Sequence, residues 1–345
     1  MKTKTIHIIS TYKDVFVSQA DCIPYRSGMD KGLLKKYFNE AGFEVNLLQF
    51  SDIDFRKMDF NNEYVLYTST EDVGYYYKSY IEDIILGLHL QGAKLIPDYE
   101  FLRANNNKVF MEILRDLTLS SGIEPLNSFK IGVLEDIYKY ENELRKWDKY
   151  VIKTAEGAMS KGVFLANDFN ELIKKSKKIS RTFNLYGDLK DIARKYYFKG
   201  YKLESRYRKK FIIQQFIPNL QNDWKVLIYW DKAFILKRYT RKNDFRSSGS
   251  GNFIADKDFP IEVLDYAYNL RDRFNLPNIS LDICYSDKKF YLIEFQAVNY
   301  GTSAITLSTF YFKKNNEDWN CITEKSSIPQ VYAESIINYI NSKEN

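Results

Sequence analysis

Histidine is nearly absent from this chain: two residues in 345, His7 and His89, far apart in sequence. Both sit in apolar surroundings and read as structural. That excludes a mechanism built on histidine acid–base chemistry and a zinc site made of histidines. Cysteine is scarce too. Cys22, Cys284 and Cys321 are isolated and odd in number, so no disulfide framework or zinc spacing is present. This usage suits a reducing, cytoplasmic setting. No apolar run reaches the length of a membrane span, and the run at Ile6–Ser10 is too short for the core of a signal peptide. Neither sign of charge dominates, with 51 Lys and Arg against 45 Asp and Glu, a net +6. That balance argues against nucleic acid as a partner, while a mild positive bias suits phosphate-bearing ligands. Repeats and low-complexity linkers are also missing. Chemistry in this chain is left to carboxylates, lysine, arginine, metal and backbone amides.

What is present is an ordinary globular composition, 45% hydrophobic and 28% charged, enriched in Tyr (28) and Phe (24). The length allows two or three domains. The first hundred residues alternate strand and helix signals. Ile6–Ser10, Phe43–Phe50, Glu63–Tyr67 and Lys94–Pro97 read as strands, with helices over Lys31–Glu40 and Tyr76–Leu90. That alternation predicts a small parallel α/β domain. A helix is expected from Asn105 to Arg115, opened by an asparagine cap, and another over Leu134–Trp147. Lys149–Thr154 and Ser160–Ala166 read as strands, followed by a helix over Asn167–Lys178. Residues 181–210 are basic and tyrosine-rich; they read as a helix and a connection forming a solvated surface, the alternative being a phosphate or polymer contact. From Phe211 the pattern turns to β, with strands at Ile212–Phe216, Trp224–Trp230 and Lys232–Tyr239. Helices over Ile261–Phe274 and Gln330–Ser342 complete the pattern.

Four stretches carry candidate chemistry. In Tyr150-Val-Ile-Lys-Thr-Ala-Glu-Gly-Ala-Met-Ser-Lys-Gly-Val, a strand bearing Lys153 runs into a loop with Gly157 and Gly162. Glycine lets backbone amides approach a phosphate, and lysine adds a point charge beside it. The alternative is a plain turn with a surface lysine. In Ile212-Ile-Gln-Gln-Phe-Ile-Pro, a strand ends at proline, and Asp223 and Lys225 start the next strand. Backbone exposed at such an end can read an adenine edge; the alternative is an ordinary connection. Between Arg238 and Phe253, Arg238, Arg241 and Arg246 flank a Ser/Gly loop suited to gripping phosphate or carboxylate. Finally, Ser280–Tyr285 and Phe290–Asn299 read as a hairpin turning near Ser286–Lys289. It brings Asp282 close to Glu294, with Gln296 on the same face. That cluster suits a hard cation such as Mg²⁺; the alternative is carboxylates facing solvent or nearby lysines.

In this order along the chain, the lysine, glycine loop, strand end, arginine loop and carboxylate pair resemble the ATP-grasp superfamily. The resemblance covers roughly residues 105 to 310. It implies an α/β (α+β) fold: an N-terminal parallel α/β domain over 1–104, a small lobe over 105–210 and a C-terminal lobe over 211–345, the lobes clamping ATP. It implies that Lys108 and Lys153 contact ATP phosphates, and that Glu156, Gly157, Ser160, Lys161 and Gly162 form the closing loop. Gln214, Gln215, Phe216 and Ile217 would be the hinge strand at adenine, with Asp223 a ribose or structural contact. Arg238 and Arg246 would face the γ-phosphate and acyl-phosphate. Asp282, Glu294 and Gln296 match the metal positions, for Mg²⁺ or Mn²⁺. The third is commonly Asn in the family, so Gln296 is a departure and Asn299 a possible substitute. The implied activity is a carboxylate–amine ligase acting on a small molecule, a peptide or a surface-polysaccharide precursor, with a homodimer as the default assembly. The alternatives are a phosphotransferase and a non-catalytic nucleotide-binding protein.

Overall fold

Alternating apolar segments of strand and helix period produce 15 strands and ten α-helices among the described residues. The computed structural model describes residues 4–17, 22, 24–72, 74–119, 123, 125–157, 162–220, 222–239, 253–316 and 318–344. In chain order the first elements are β1 (Lys4–Ser10), α1 (Lys31–Glu40), β2 (Phe43–Gln49), β3 (Tyr64–Tyr67), α2 (Tyr76–Leu90), β4 (Lys94–Ile96) and α3 (Tyr99–Ala104). Next come α4 (Lys108–Thr118), β5 (Ser128–Ile131), α5 (Glu141–Leu144), β6 (Tyr150–Thr154), β7 (Val163–Ala166), α6 (Phe169–Ser180), α7 (Leu185–Tyr197) and β8 (Phe211–Gln215). The last are β9 (Asn222–Tyr229), β10 (Lys232–Tyr239), β11 (Phe253–Ile254), α8 (Glu262–Arg273), β12 (Asn278–Ser286), β13 (Lys289–Gln296), α9 (Ser303–Thr306), β14 (Tyr311–Asn315), β15 (Asp318–Ile322) and α10 (Ile328–Glu344). No helix among the described residues is long and apolar enough to cross a membrane.

The chain forms two compact units. One comprises residues 1–105, 118–122 and 220–345; the other comprises 106–117 and 123–219. The larger unit holds the parallel sheet β2-β1-β3-β4 and an antiparallel sheet in the order β13-β12-β9-β10-β14-β15, with β11 on β10. Both sheets feed one core. Ile6, Ile8, Leu34 and Phe38 share it with Leu227, Tyr229, Phe234, Val331 and Ile336. α1 packs on α10, so the C-terminal helix closes the N-terminal domain. The smaller unit is a four-stranded sheet, β5-β8-β6-β7. One of its faces, with Ile131, Ile152, Phe211 and Ile213, packs with Leu172 of α6.

This differs from the expected three-part division in two respects. First, the expected division puts β8 at the head of the C-terminal lobe. The strand is instead hydrogen-bonded to β5 on one edge and β6 on the other, so the chain leaves the small sheet only after Asn219. Second, the N-terminal α/β domain and the C-terminal sheet share a core and do not separate. The expected helix over 134–147 is a 3₁₀ segment, Leu134–Tyr140, followed by the single turn of α5. Strand β5, helix α3 and the β14–β15 hairpin were not anticipated.

Candidate active site

In the larger unit, a tight turn sets the geometry. Asp287 and Lys288 both have positive φ, 49° and 64°. This is the two-residue hairpin geometry whose twist matches the strands it joins. It pairs Ser286 with Lys289, and a register shift just beyond Asp282 leaves Asp282 directly opposite Glu294 and Ser280 opposite Gln296. The next strand continues the row: Asp282 faces Lys225 on β9, and Asp223 faces Arg238 on β10.

Because side chains alternate across a strand, these charges share one face with Leu227, Tyr229, Phe234 and Leu236, which pack in the core. The other face, with Val226, Ile228, Leu281 and Ile283, is buried as well, and α8 packs against β9 and β12. One sheet face is thus apolar along one stretch and charged along the next.

Arg238 organises the charged stretch. Its Nε donates to Asp223 Oδ1 at 2.6 Å, and its Nη2 lies 2.9 Å from Asp282 Oδ2. Lys225 Nζ is 4.0 Å from Asp282 Oδ1, and the Gln296 amide donates to Glu294 at 3.3 Å. Burial pushes the Asp223 carboxyl up to about 6; Arg238 opposes the shift and nearby Asp282 adds to it. Burial also lowers the Lys225 ammonium. For Arg238, burial works against the charge, but Asp282 and Asp223 together hold it above its ordinary value. Counted as ionised, three carboxylates against two cations leave this face one charge negative. Two carboxylates and an amide oxygen form a hard oxygen donor set. Mg²⁺ commonly takes one or two protein carboxylates and completes its shell with phosphate and water. The residues therefore fit Mg²⁺, although among the described residues no group of three His, Cys, Asp or Glu gathers as an all-protein cage. Asn299, the proposed substitute for Gln296, has other work. Its Oδ1 accepts from Thr68 Oγ1 at 3.1 Å and its Nδ2 donates to the Ser69 carbonyl at 2.6 Å.

The smaller unit gathers positive charge. Lys153 on β6 is buried and lies opposite Ile212, on the face away from the α6 core; Gln214 is on that same face. The turn before α4 binds the start of the glycine loop. Asn106 Oδ1 accepts from the Gly157 amide at 2.8 Å, Lys108 Nζ donates to the Gly157 carbonyl at 3.0 Å, and the Lys108 amide donates to Ala155 at 2.7 Å. Lys210 joins them by donating to Asn107 Oδ1 at 3.0 Å. Glycine is required at the two described residues that flank the loop. Gly157 has φ +122°, and a Cβ on Gly162 would meet Thr154 Oγ1 at 1.9 Å. The Glu156 side chain is exposed and its carbonyl accepts from Thr154.

α4 also supplies Glu112, which is fully buried. Its carboxylate accepts from Arg115 at 3.1 Å, Ser128 at 2.6 Å and the Gln214 amide at 2.8 Å. Gln215 accepts from Asn127 at 2.9 Å, the Phe216 amide donates to the Lys149 carbonyl at 3.3 Å, and Ile217 follows half-buried. Ser160, Lys161, Arg241 and Arg246 lie outside the described residues. Sequence reasoning noted Lys225 only as the start of a strand, and passed over Glu112 and Lys210. Lys225 could have been found: in strand period it alternates with Trp224 and Val226, a lysine where a buried strand leaves no room for a solvated one.

No protein-family model matches the chain, and no curated protein sequence does. Solved structures match over nearly its full length. One is D-cycloserine synthetase DcsG, 9% identical with a TM-score of 0.56 over 97% of this chain and 99% of that one. Another is the D-alanine–D-alanine ligase of Bacillus anthracis, 14% identical, TM-score 0.53, over 99% of each chain. A third is the ATP-grasp ligase PsnB complexed with a phosphomimetic variant of its minimal precursor, Mg and ADP. It is 12% identical, TM-score 0.53, over 98% of this chain and 99% of that one. At such identities the likeness is one of fold.

Proposed function

We propose, from the premise that this chain has the ATP-grasp fold, that it is an ATP-dependent ligase joining a carboxylate to an amine. The observation that carries the reading is the carboxylate pair of the larger unit, Asp282 opposite Glu294 on a sheet face with more carboxylates than cations. In the smaller unit, Lys108 binds the start of the glycine loop, Lys210 lies beside it on Asn107, and Lys153 is carried by β6. In this reading Lys108 and Lys153 neutralise phosphate oxygens, the segment from Glu156 to Gly162 lends backbone amides, and Gln214–Ile217 meets the adenine. Asp282 and Glu294 hold Mg²⁺, with the Gln296 amide oxygen beside them; Mn²⁺ has the same preference for oxygen. The metal supplies charge neutralisation at the transferred phosphoryl group.

The substrate carboxylate attacks the γ-phosphorus, giving ADP and an acyl-phosphate. The amine then displaces phosphate and loses a proton, leaving the amide. Arg238 and Lys225 hold Asp282 in place by charge, and Arg246 is assigned to the acyl-phosphate. The protein contributes position and charge, and no histidine is needed. A small molecule, a peptide or a surface-polysaccharide precursor supplies the acid and amine, and a homodimer is the proposed assembly. The test is ATP turnover against a panel of amino acids, uronic acids and peptides, followed by phosphorus NMR. Free phosphate released only when acid and amine are both present supports ligation. A stable phosphorylated product formed without amine would replace this reading with phosphotransfer.

A further inference from the structure

Helix α7 presents its apolar side outward. At 3.6 residues per turn, Leu185, Tyr186, Leu189, Ala193, Tyr196 and Tyr197 share one face, and Asp191 is opposite. The buried member is Asp191, whose carboxylate accepts from the Tyr201 hydroxyl and from the Glu204 amide. On the apolar face, Leu189 is 59% exposed, Tyr186 77%, Tyr197 82% and Tyr196 85%. Phe183 and Phe198 extend this surface past both ends and are exposed as well. A contiguous exposed apolar face of this kind marks an interaction surface.

Its surroundings are cationic. Residues 181–210 hold ten Lys and Arg against three Asp and Glu. All three acids are engaged locally: Asp188 with Arg206 at 3.7 Å, Glu204 with Arg208 at 2.9 Å, and Asp191 as above. Exposed Lys190 and Arg194 border one margin of the apolar face, Lys195 lies toward the other, and exposed Lys199 and Lys202 follow the helix.

We propose that α7 docks this protein on an anionic lipid bilayer surface. A helix with an aromatic and leucine face bordered by Lys and Arg lies in the headgroup region, the apolar face inserted and the cations on anionic lipids. Tyrosine suits that depth, having an apolar ring and a wet hydroxyl. The exposed face is a ridge on a single helix. A soft bilayer receives a ridge without a shaped counterpart, which a protein partner would have to supply. This inference is independent of the ligase reading.

The test is co-sedimentation of the full chain with vesicles of phosphatidylcholine alone and of equimolar phosphatidylcholine and phosphatidylglycerol. Binding is expected on the anionic vesicles only, and weaker in high salt. Lys190→Gln and Lys195→Gln should each weaken it roughly fivefold. Leu189→Glu with Tyr196→Glu should abolish it, with the far-ultraviolet circular dichroism unchanged because both positions are exposed. No sedimentation with anionic vesicles, or undiminished binding by the double glutamate variant, overturns the proposal. So does concentration-dependent self-association that Leu189→Glu dissolves without vesicle binding, which would make a second copy the occupant.

Discussion

On the face of β13-β12-β9-β10, three carboxylates and two cations form a shared network in which Arg238 bridges Asp223 and Asp282. On the face of β5-β8-β6, the buried carboxylate of Glu112 accepts from Arg115, Ser128 and Gln214, while lysines collect around Ala155 and Gly157. The first network is charge-unbalanced by one negative unit. The second separates a closed, neutral Glu112–Arg115 pair from a positive edge. A buried carboxylate enclosed by donors holds shape, and its charge is spent within the protein. A carboxylate row with fewer cations than anions retains a field that a metal can complete. The charges in the two units are therefore arranged differently: one group anchors α4 to its sheet, and the other leaves the face to which the metal is assigned in the proposed function one charge negative.

Substitutions can break this contrast. The largest effect is expected at the hairpin: Asp282→Asn or Glu294→Gln should lower ATP turnover by about a thousandfold, with cooperative thermal unfolding retained. An unaffected rate would remove the metal assignment. Glu112→Leu should instead act on the fold, leaving Arg115 buried without its carboxylate at a cost of about 3–5 kcal/mol, read by denaturant unfolding. If it cost turnover but no stability, the two networks would not differ as described.

A pH dependence separates them further. Asp223, held at about 6 by burial, binds its proton more tightly folded than unfolded. Its contribution to stability is greatest below the ordinary carboxylate value of about 3.9. It falls as the pH rises to about 6, then levels, by up to about 3 kcal/mol in all. Asp223→Asn should flatten that part of the stability–pH curve; an identical curve would show that Asp223 titrates normally. Lys108→Met should raise the KM for ATP about tenfold, the effect of losing one charged contact to phosphate, as measured by initial rates. The smallest effect sorts the two amides. Asn299→Ala should cost about 1–2 kcal/mol of stability and leave the Mg²⁺ requirement unchanged, whereas Gln296→Leu should raise that requirement.

Much of this was legible in the residues. The bounds of α1, α2 and β10 follow from the local apolar period, and the hairpin follows from two β-type runs around a polar pair. The strand period also placed Gln296 beside Glu294. The β14–β15 hairpin was missed although Tyr311–Lys313 and Trp319–Ile322 flank a turn at Asn316, which has φ +55°. Its strands are short and half polar, so the alternation is weak. Glu112 was invisible for another reason: its partner Gln214 is 102 residues away, and nothing near Glu112 marks it as buried.

The sequence by itself determined what depends on neighbours along the chain: the helices, the strands and the turn at Asp287–Lys288, which pairs Ser286 with Lys289. Only the tertiary structure decided which charges meet. Arg238 reaches Asp282 because β9 lies between β10 and β12, and Asn299 is taken by Thr68 and Ser69 from the N-terminal domain. It also decided that β8 stays with the small sheet. Strand order and shared cores arise from packing between segments distant in the chain, and no local period records them.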